Sequence, residues 1–127
     1  MNIISFDVEL ERVKKYMDEL GVTSVSLEQL LKDSDFVTLH VPLLPSTRHM
    51  ISREEFSTMK KGSYIINVSR GGVIDEEALK EALDSNHLAG AALDVYEVEP
   101  PDDLELIESP NLIATPHIGA STSEAQI

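Results

Sequence analysis

The chain contains no cysteine, which excludes a disulfide framework and any zinc site built on thiolates. Basic residues are scarce: ten Lys and Arg stand against twenty-three Asp and Glu, a net charge of −13. A surface of that sign repels a phosphate backbone and an anionic bilayer alike, so neither nucleic acid nor membrane is expected as a partner. There is no long apolar span and no cleavable leader pattern, and the expected location is the cytoplasm. Six glycines and six prolines are too few for a low-complexity chain. No internal repeat, flexible linker or composition shift marks a boundary, so a single domain over residues 1–127 is expected.

What is present suits a globular fold. The chain is 42% hydrophobic and 26% charged, and its 127 residues can bury a self-sufficient core. Ile3-Ile4-Ser5-Phe6 is a short apolar run, followed by Leu10, Val13, Tyr16, Met17 and Leu20 at helical spacing up to Gly21. Val22 to Val25 reads as a second strand, and Ser26-Leu27-Glu28-Gln29 has capping-box spacing for a helix through Asp33. Phe36 to Val41 is an apolar, β-branched run cut by Pro42 and Pro45, and Ser52-Arg53-Glu54-Glu55 caps the helix after it. Ser63–Val68, Ala89–Val95 and Leu112–Thr115 are further strands, with a helix from Asp75 to Leu83. Six strands alternating with four helices and one proline-rich connection predict an α/β fold, a parallel sheet covered on both faces by right-handed crossovers.

In such sheets ligands collect beyond the carboxyl ends of the strands. Those positions hold Asp7, His40-Val41-Pro42, Ser69-Arg70-Gly71-Gly72, Asp94 with Glu97 and Glu99, and Thr115-Pro116-His117-Ile118-Gly119. Each residue also suits a plain structural role. Asp7 fits a helix cap as well as a ribose contact, Arg70 a surface ion pair, and His117 a hydrogen-bonded loop histidine. The combination is more specific. An imidazole moves protons at neutral pH, a neighbouring carboxylate holds its tautomer, and a guanidinium forks two donors onto a carboxylate. Arg70, His117, Asp94 and Glu99 on one rim suit a small substrate with a carboxylate beside a hydroxyl or carbonyl.

The segments "HVPLLPSTRHMI", "MKKGSYIINVSRGGVIDEEAL", "GAALDVYEVEPP" and "NLIATPHIGASTSEAQ" resemble, in order and spacing, the nucleotide-binding domain of NAD-dependent D-2-hydroxyacid dehydrogenases. "PHIGASTSEAQ" resembles the branch of that family that oxidises 3-phosphoglycerate. The resemblance implies hydride transfer between a 2-hydroxyacid or 2-oxoacid and NAD. It implies catalytic roles for Arg70 (substrate carboxylate and reacting oxygen), His117 (acid/base) and Glu99 (support of the histidine). It also implies that Asp7 binds the adenosine ribose, that Asp94 contacts the nicotinamide carboxamide, and that Val41, Val68, Ser69, Arg70, His117, Ile118, Gly119 and Ala120 line the cofactor. No metal is implied. His40 falls on a cofactor-lining segment, while His49 and His87 read as surface residues.

The family's G-x-G-x-x-G pyrophosphate loop has no counterpart in the sequence. Met1 matches the start of the family's second nucleotide-domain strand, so the chain reads as a Rossmann-derived piece without the first strand, the loop and the substrate domain. Closure of the resulting gap predicts a three-layer, flavodoxin-like order 2-1-3-4-5 with a sixth strand at the edge. A homodimer paired through an uncovered sheet edge is the rival outcome. Little turnover and feeble NAD affinity are expected of the isolated chain. The alternative is a non-catalytic flavodoxin-like α/β module, although no phosphate loop or receiver-type cluster of acids with a lysine supports one.

Overall fold

The computed structural model describes every residue from Met1 to Ile127. In chain order the elements are β1 (Ile4–Ser5), α1 (Leu10–Leu20), β2 (Thr23–Ser24), α2 (Leu27–Asp33), β3 (Phe36–Leu39) and α3 (Arg53–Thr58), then β4 (Ser63–Asn67), α4 (Glu76–Asp84), β5 (Leu88–Leu93), α5 (Leu104–Ile107) and β6 (Leu112–Ala114). All strand pairing is parallel, as the alternation of apolar runs and amphipathic helices requires.

Local signals set the helix ends. Gly21 closes α1 in the left-handed region, at φ 68°. The Ser26 hydroxyl accepts the Gln29 N–H at 3.1 Å to start α2. Ser52 and Glu55 start α3 as expected: the Ser52 N–H donates to Glu55 Oε2 at 2.9 Å, and the Ser52 hydroxyl donates to Asp75 Oδ2 at 2.8 Å. Asp75 in turn caps α4 through the Ala78 N–H, so one carboxylate ties two helix starts together. A fifth helix, the single turn α5, lies in the stretch read as a proline-rich connection; Asp103 caps it by accepting the Leu106 N–H at 3.1 Å.

The strand order departs from the predicted one. β1 pairs only with β2, and a separate four-stranded sheet runs β3-β4-β5-β6. The neighbours 2-1 and 3-4-5-6 are those expected, but β1 and β3 do not pair and the gap stays open. No ladder joins the two sheets. β1 and β2 contribute two residues apiece, too short a ladder to reward drawing the β1–α1–β2 unit onto β3. The 18-residue buried cluster, built on β3 to β5 and α2 to α5 with Leu112 and Ala114 of β6 packed against it, includes no residue of β1, α1 or β2.

The expected three layers are also not seen in the larger sheet. Val37, Leu39, Ile65, Ala91 and Leu93 point into the core with Ile51, Phe56, Leu79, Leu83 and Leu106. Full burial of each such side chain contributes roughly 1.5–3 kcal/mol. The alternate residues form the other face, where Phe36 is 64% and Ile113 70% exposed, and the Phe36 and Tyr64 rings stack at 5.0 Å. The period-2 pattern of a sheet covered on one side is thus present in β3 and β4.

Parallel register places the functional edge. Leu39, Asn67, Leu93 and Ala114 stand in one row across the sheet, so the residues that follow, His40, Val68, Asp94 and Thr115, leave all four strands at the same end.

Candidate active site

Three loops meet at that end. The first follows β4. Asn67 is buried, and its side-chain oxygen accepts both the Ser69 N–H (3.0 Å) and the Ser69 hydroxyl (2.8 Å), while its amide donates to the Arg70 carbonyl (3.0 Å). The turn is therefore closed by a side chain, and Arg70 is held exposed at its tip with Nη1 on the Ser69 carbonyl. Gly71 and Gly72 let it turn: Gly72 has φ 88°, and a Cβ on Gly71 would lie 1.7 Å from the Tyr96 carbonyl oxygen.

The second loop follows β5 and carries Tyr96, Glu97 and Glu99. The Tyr96 N–H donates to Glu99 Oε1 at 3.2 Å, and Glu99 Oε2 lies 2.7 Å from Nδ1 of His117, on the third loop. Hydrogen bonding to the imidazole, aided by the Tyr96 N–H, holds the Glu99 carboxyl below its ordinary value. With Nδ1 engaged by a carboxylate, Nε2 is the imidazole nitrogen left to exchange a proton. His117 itself sits at φ 56°, a left-handed conformation that a non-glycine residue keeps only when its surroundings enforce it.

Asp94 is what enforces it. Asp94 is 4% exposed, and its carboxylate accepts the Thr115 hydroxyl (2.6 Å), the Ile118 N–H (2.8 Å) and the Gly119 N–H (2.8 Å). Burial pushes this carboxyl up, yet the Thr115 hydroxyl and the two N–H groups outweigh it and leave the group below its ordinary value. The structure thus turns Asp94 into the His117 loop, with one lone pair of Oδ2 left over for a further donor.

The other residues named from sequence fall as follows. Val41 is half-buried, and Val68, Ile118, Gly119 and Ala120 are exposed along the same edge, with Ser69 between them in burial. Asp7 stands apart, after β1 on the other sheet. Its Oδ1 accepts the Glu9 N–H at 2.8 Å, while Glu9, at the N-cap of α1, carries no side-chain cap bond, so Asp7 shapes the turn before the helix rather than capping it, and its second oxygen remains free of side-chain and backbone donors. His40 bonds the Thr38 hydroxyl at 2.9 Å. His49 and His87 are not free surface residues: His49 lies 2.7 Å from Glu97, and His87 2.9 Å from the Met59 carbonyl. Sequence reading missed Asn67, Tyr96 and the clamping role of Asp94; the available signal was a polar residue at an inward register position of β4.

Beside the rim, His49, Asp75 and Glu97 bring one ligand atom each within 4.8 Å of one another. Asp75 is committed to Ser52 and Ala78, and Glu97 Oε1 to His49 and the Glu76 N–H. Glu76, hydrogen-bonded to Glu97 beside this group, is the strained acid. Burial first, then the charges of Glu97, Asp103 and Asp102, hold its carboxyl above the ordinary value, although it accepts the Glu97 N–H at 2.6 Å. An acid raised in the folded state weakens folding progressively as pH climbs from its ordinary value through the raised one. Glu76→Gln keeps the acceptor without the charge. It should raise the melting temperature at neutral pH by about 2 °C, from roughly 0.5 kcal/mol, and lose that advantage below the ordinary carboxyl range; thermal melts at two pH values check it.

Known proteins share this sequence and this fold. The sequence profile described as "D-isomer specific 2-hydroxyacid dehydrogenase, NAD binding domain" matches residues 1–119. The chain is 50% identical over 129 residues to D-3-phosphoglycerate dehydrogenase of Bacillus subtilis, covering 100% of this chain and 24% of that protein. It is 51% identical to hydroxypyruvate reductase of Thermotoga maritima, covering 99% of this chain and 40% of that one. In three dimensions it matches the apo form of Rhodotorula graminis D-mandelate dehydrogenase with a TM-score of 0.87 at 41% identity, over 98% of this chain and 36% of that one. It also matches an NAD-complexed D-isomer specific 2-hydroxyacid dehydrogenase of Lactobacillus delbrueckii ssp. bulgaricus, with a TM-score of 0.86 at 33% identity, over 98% of this chain and 41% of that one. The chain thus spans about a quarter of the length of the phosphoglycerate dehydrogenases it matches.

Proposed function

Because the chain belongs to the D-isomer specific 2-hydroxyacid dehydrogenases through their NAD-binding domain, we propose that its rim holds the nicotinamide end of NAD and the reacting end of a small 2-hydroxyacid or 2-oxoacid. The observation that carries this reading is the His117–Glu99 pair, 2.7 Å apart, at the strand edge that also presents Arg70.

The chain's residues fit the cofactor unevenly. On the rim, the exposed backbone around Val68, Ile118, Gly119 and Ala120, with Val41 and Ser69 beside it, gives an extended wall for a flat ring. The remaining Oδ2 lone pair of Asp94 suits a carboxamide N–H. The free oxygen of Asp7 suits a ribose diol and disfavours a 2′-phosphate. The pyrophosphate fits poorly, since no G-x-G-x-x-G loop opens any helix of the chain to present the bare N–H groups an anion site needs. When bound, the nicotinamide supplies the hydride acceptor.

The chain's own groups then divide the remaining work. Arg70 forks onto the substrate carboxylate. His117 takes the hydroxyl proton at Nε2, Glu99 stabilises the imidazolium that results, and the Tyr96 N–H keeps Glu99 ionised. The substrate class proposed for the whole protein is 3-phosphoglycerate or a related 2-hydroxyacid, following the names of the relatives.

Titration of the ¹⁵N-labelled chain with NADH tests the reading. Amide shifts should gather at Val41, Val68, Ser69, Ile118, Gly119 and Ala120, saturating only in the millimolar range, with NADPH shifting the Asp7 turn less than NADH does. Micromolar binding would contradict the weak pyrophosphate fit, and shifts confined to the far side of the sheet would contradict the site.

A further inference from the structure

We propose that Tyr96 is the positioning residue that sets the Arg70, Glu99 and His117 loops in register with one another, an inference that rests on the dehydrogenase reading above. Three different parts of this one residue touch the three loops. Its carbonyl packs on Gly71, next to Arg70, so closely that no Cβ fits between them. Its N–H donates to Glu99 Oε1 at 3.2 Å. Its hydroxyl donates to the Thr115 carbonyl at 2.7 Å, with the Leu93 carbonyl at 3.1 Å.

The hydroxyl contact is the one that depends on the side chain. The last rung of the β5–β6 ladder is the Thr115 N–H on the Leu93 carbonyl, at 3.0 Å. Beyond it the Thr115 carbonyl has no strand partner, and the chain turns within two residues into the left-handed His117. A phenol buried to 5% exposure reaches past the end of the ladder and fixes that carbonyl. Burial, with the charges of Asp94, Glu76 and Glu99 around it, holds the phenol above its ordinary value, so the hydroxyl stays protonated and remains a donor. The ring belongs to the buried cluster, which makes the arrangement rigid: the core locates the ring, the ring locates the hydroxyl, and the hydroxyl locates the strand that delivers the histidine. Polar satisfaction of this kind is the support that catalytic geometry needs.

Phenylalanine keeps the ring and removes only the hydroxyl. The test is a double-mutant cycle read on the carboxyl carbon of Glu99 by ¹³C NMR, in the cofactor-free 127-residue chain. In the unsubstituted chain, His117→Ala should raise the Glu99 midpoint, since the imidazole is the first cause of its depression. Tyr96→Phe alone should raise it as well, and His117→Ala should then add little more, because the pair is already misaligned. A Tyr96→Phe chain that folds and shows an unchanged Glu99 midpoint and an undiminished His117 effect overturns the proposal. A hydroxyl with a merely structural role would lower the melting temperature without moving that midpoint.

Should Tyr96→Phe fail to fold, the hydroxyl proton of the unsubstituted chain decides. A slowly exchanging resonance in contact with Thr115 supports the assignment; exchange as fast as that of the exposed Tyr16 and Tyr64 sinks it. Neither measurement uses NAD, so a failed cofactor titration and a failed cycle are separate results.

Discussion

Gly71→Ala is expected to cost about 4 kcal/mol, or roughly 15 °C in melting temperature, and to do more damage than Gly72→Ala. Backbone conformation alone predicts the opposite order, since Gly72 has φ 88° and Gly71 carries no such strain. The neighbours decide it. A Cβ on Gly72 meets the flexible end of Leu43, at 3.3 and 3.4 Å, and Arg48 Nη1 at 3.5 Å. These can move, and the substitution should cost about 1–2 kcal/mol from the left-handed conformation. A Cβ on Gly71 meets the backbone of Tyr96, with the carbonyl oxygen at 1.7 Å, the carbonyl carbon at 2.3 Å and the nitrogen at 3.0 Å.

That backbone cannot yield cheaply. It is tied to Glu99 through its N–H, and its ring is buried among core residues. In a domain of total stability about 5–15 kcal/mol, with one sheet face open and the second sheet outside the buried cluster, a loss of this size leaves little folded population at 37 °C. Urea and thermal melts of both variants check the order. A Gly71→Ala chain as stable as Gly72→Ala would show that the two loops are not in backbone contact.

The period of the apolar residues exposed most of the architecture before any coordinates. All six strands were placed within two residues of their observed ends, and the strand-end rule led to Arg70, Asp94, Glu99 and His117. What stayed hidden follows from the range of the forces involved. Whether β1 joins β3 depends on a balance between a two-residue ladder and the cost of moving a whole βαβ unit, which no local pattern encodes. The bare face was half visible: Phe36-Val37-Thr38-Leu39 and Tyr64-Ile65-Ile66-Asn67 keep one side apolar enough to look covered, although Phe36 and Ile113 lie in solvent. Asn67 closes its own turn through Ser69 and the Arg70 carbonyl, whereas the Tyr96 hydroxyl acts on the backbone of another loop, a role that exists only in three dimensions. Asp94 was recognised by position but assigned to a ligand, whereas the fold first uses it to shape the loop that holds the histidine.

That use of Asp94 leads to the second large effect. Asp94→Ala should cost about 3 kcal/mol and free residues 115–120, because it leaves the Ile118 and Gly119 N–H groups and the Thr115 hydroxyl without their shared acceptor. Asp94→Asn is the sharper probe. An amide oxygen placed at Oδ1 still serves Thr115 and Ile118, but the amide nitrogen then faces the Gly119 N–H, donor against donor. About 2 kcal/mol should be lost, and Gly119 should lose protection from hydrogen exchange before Ile118 does. The pH dependence has a fixed sign. The Asp94 carboxyl lies below its ordinary value in the folded state, so its contribution is complete above that ordinary value, 3.8, and fades as pH falls through the lower folded one. On acidification, the Ile118 and Gly119 amide resonances should move together with the Asp94 carboxyl carbon. If they stay fixed while that carbon titrates, the His117 loop keeps its shape without the carboxylate, and the left-handed conformation at His117 must be enforced by Tyr96 and Thr115 alone.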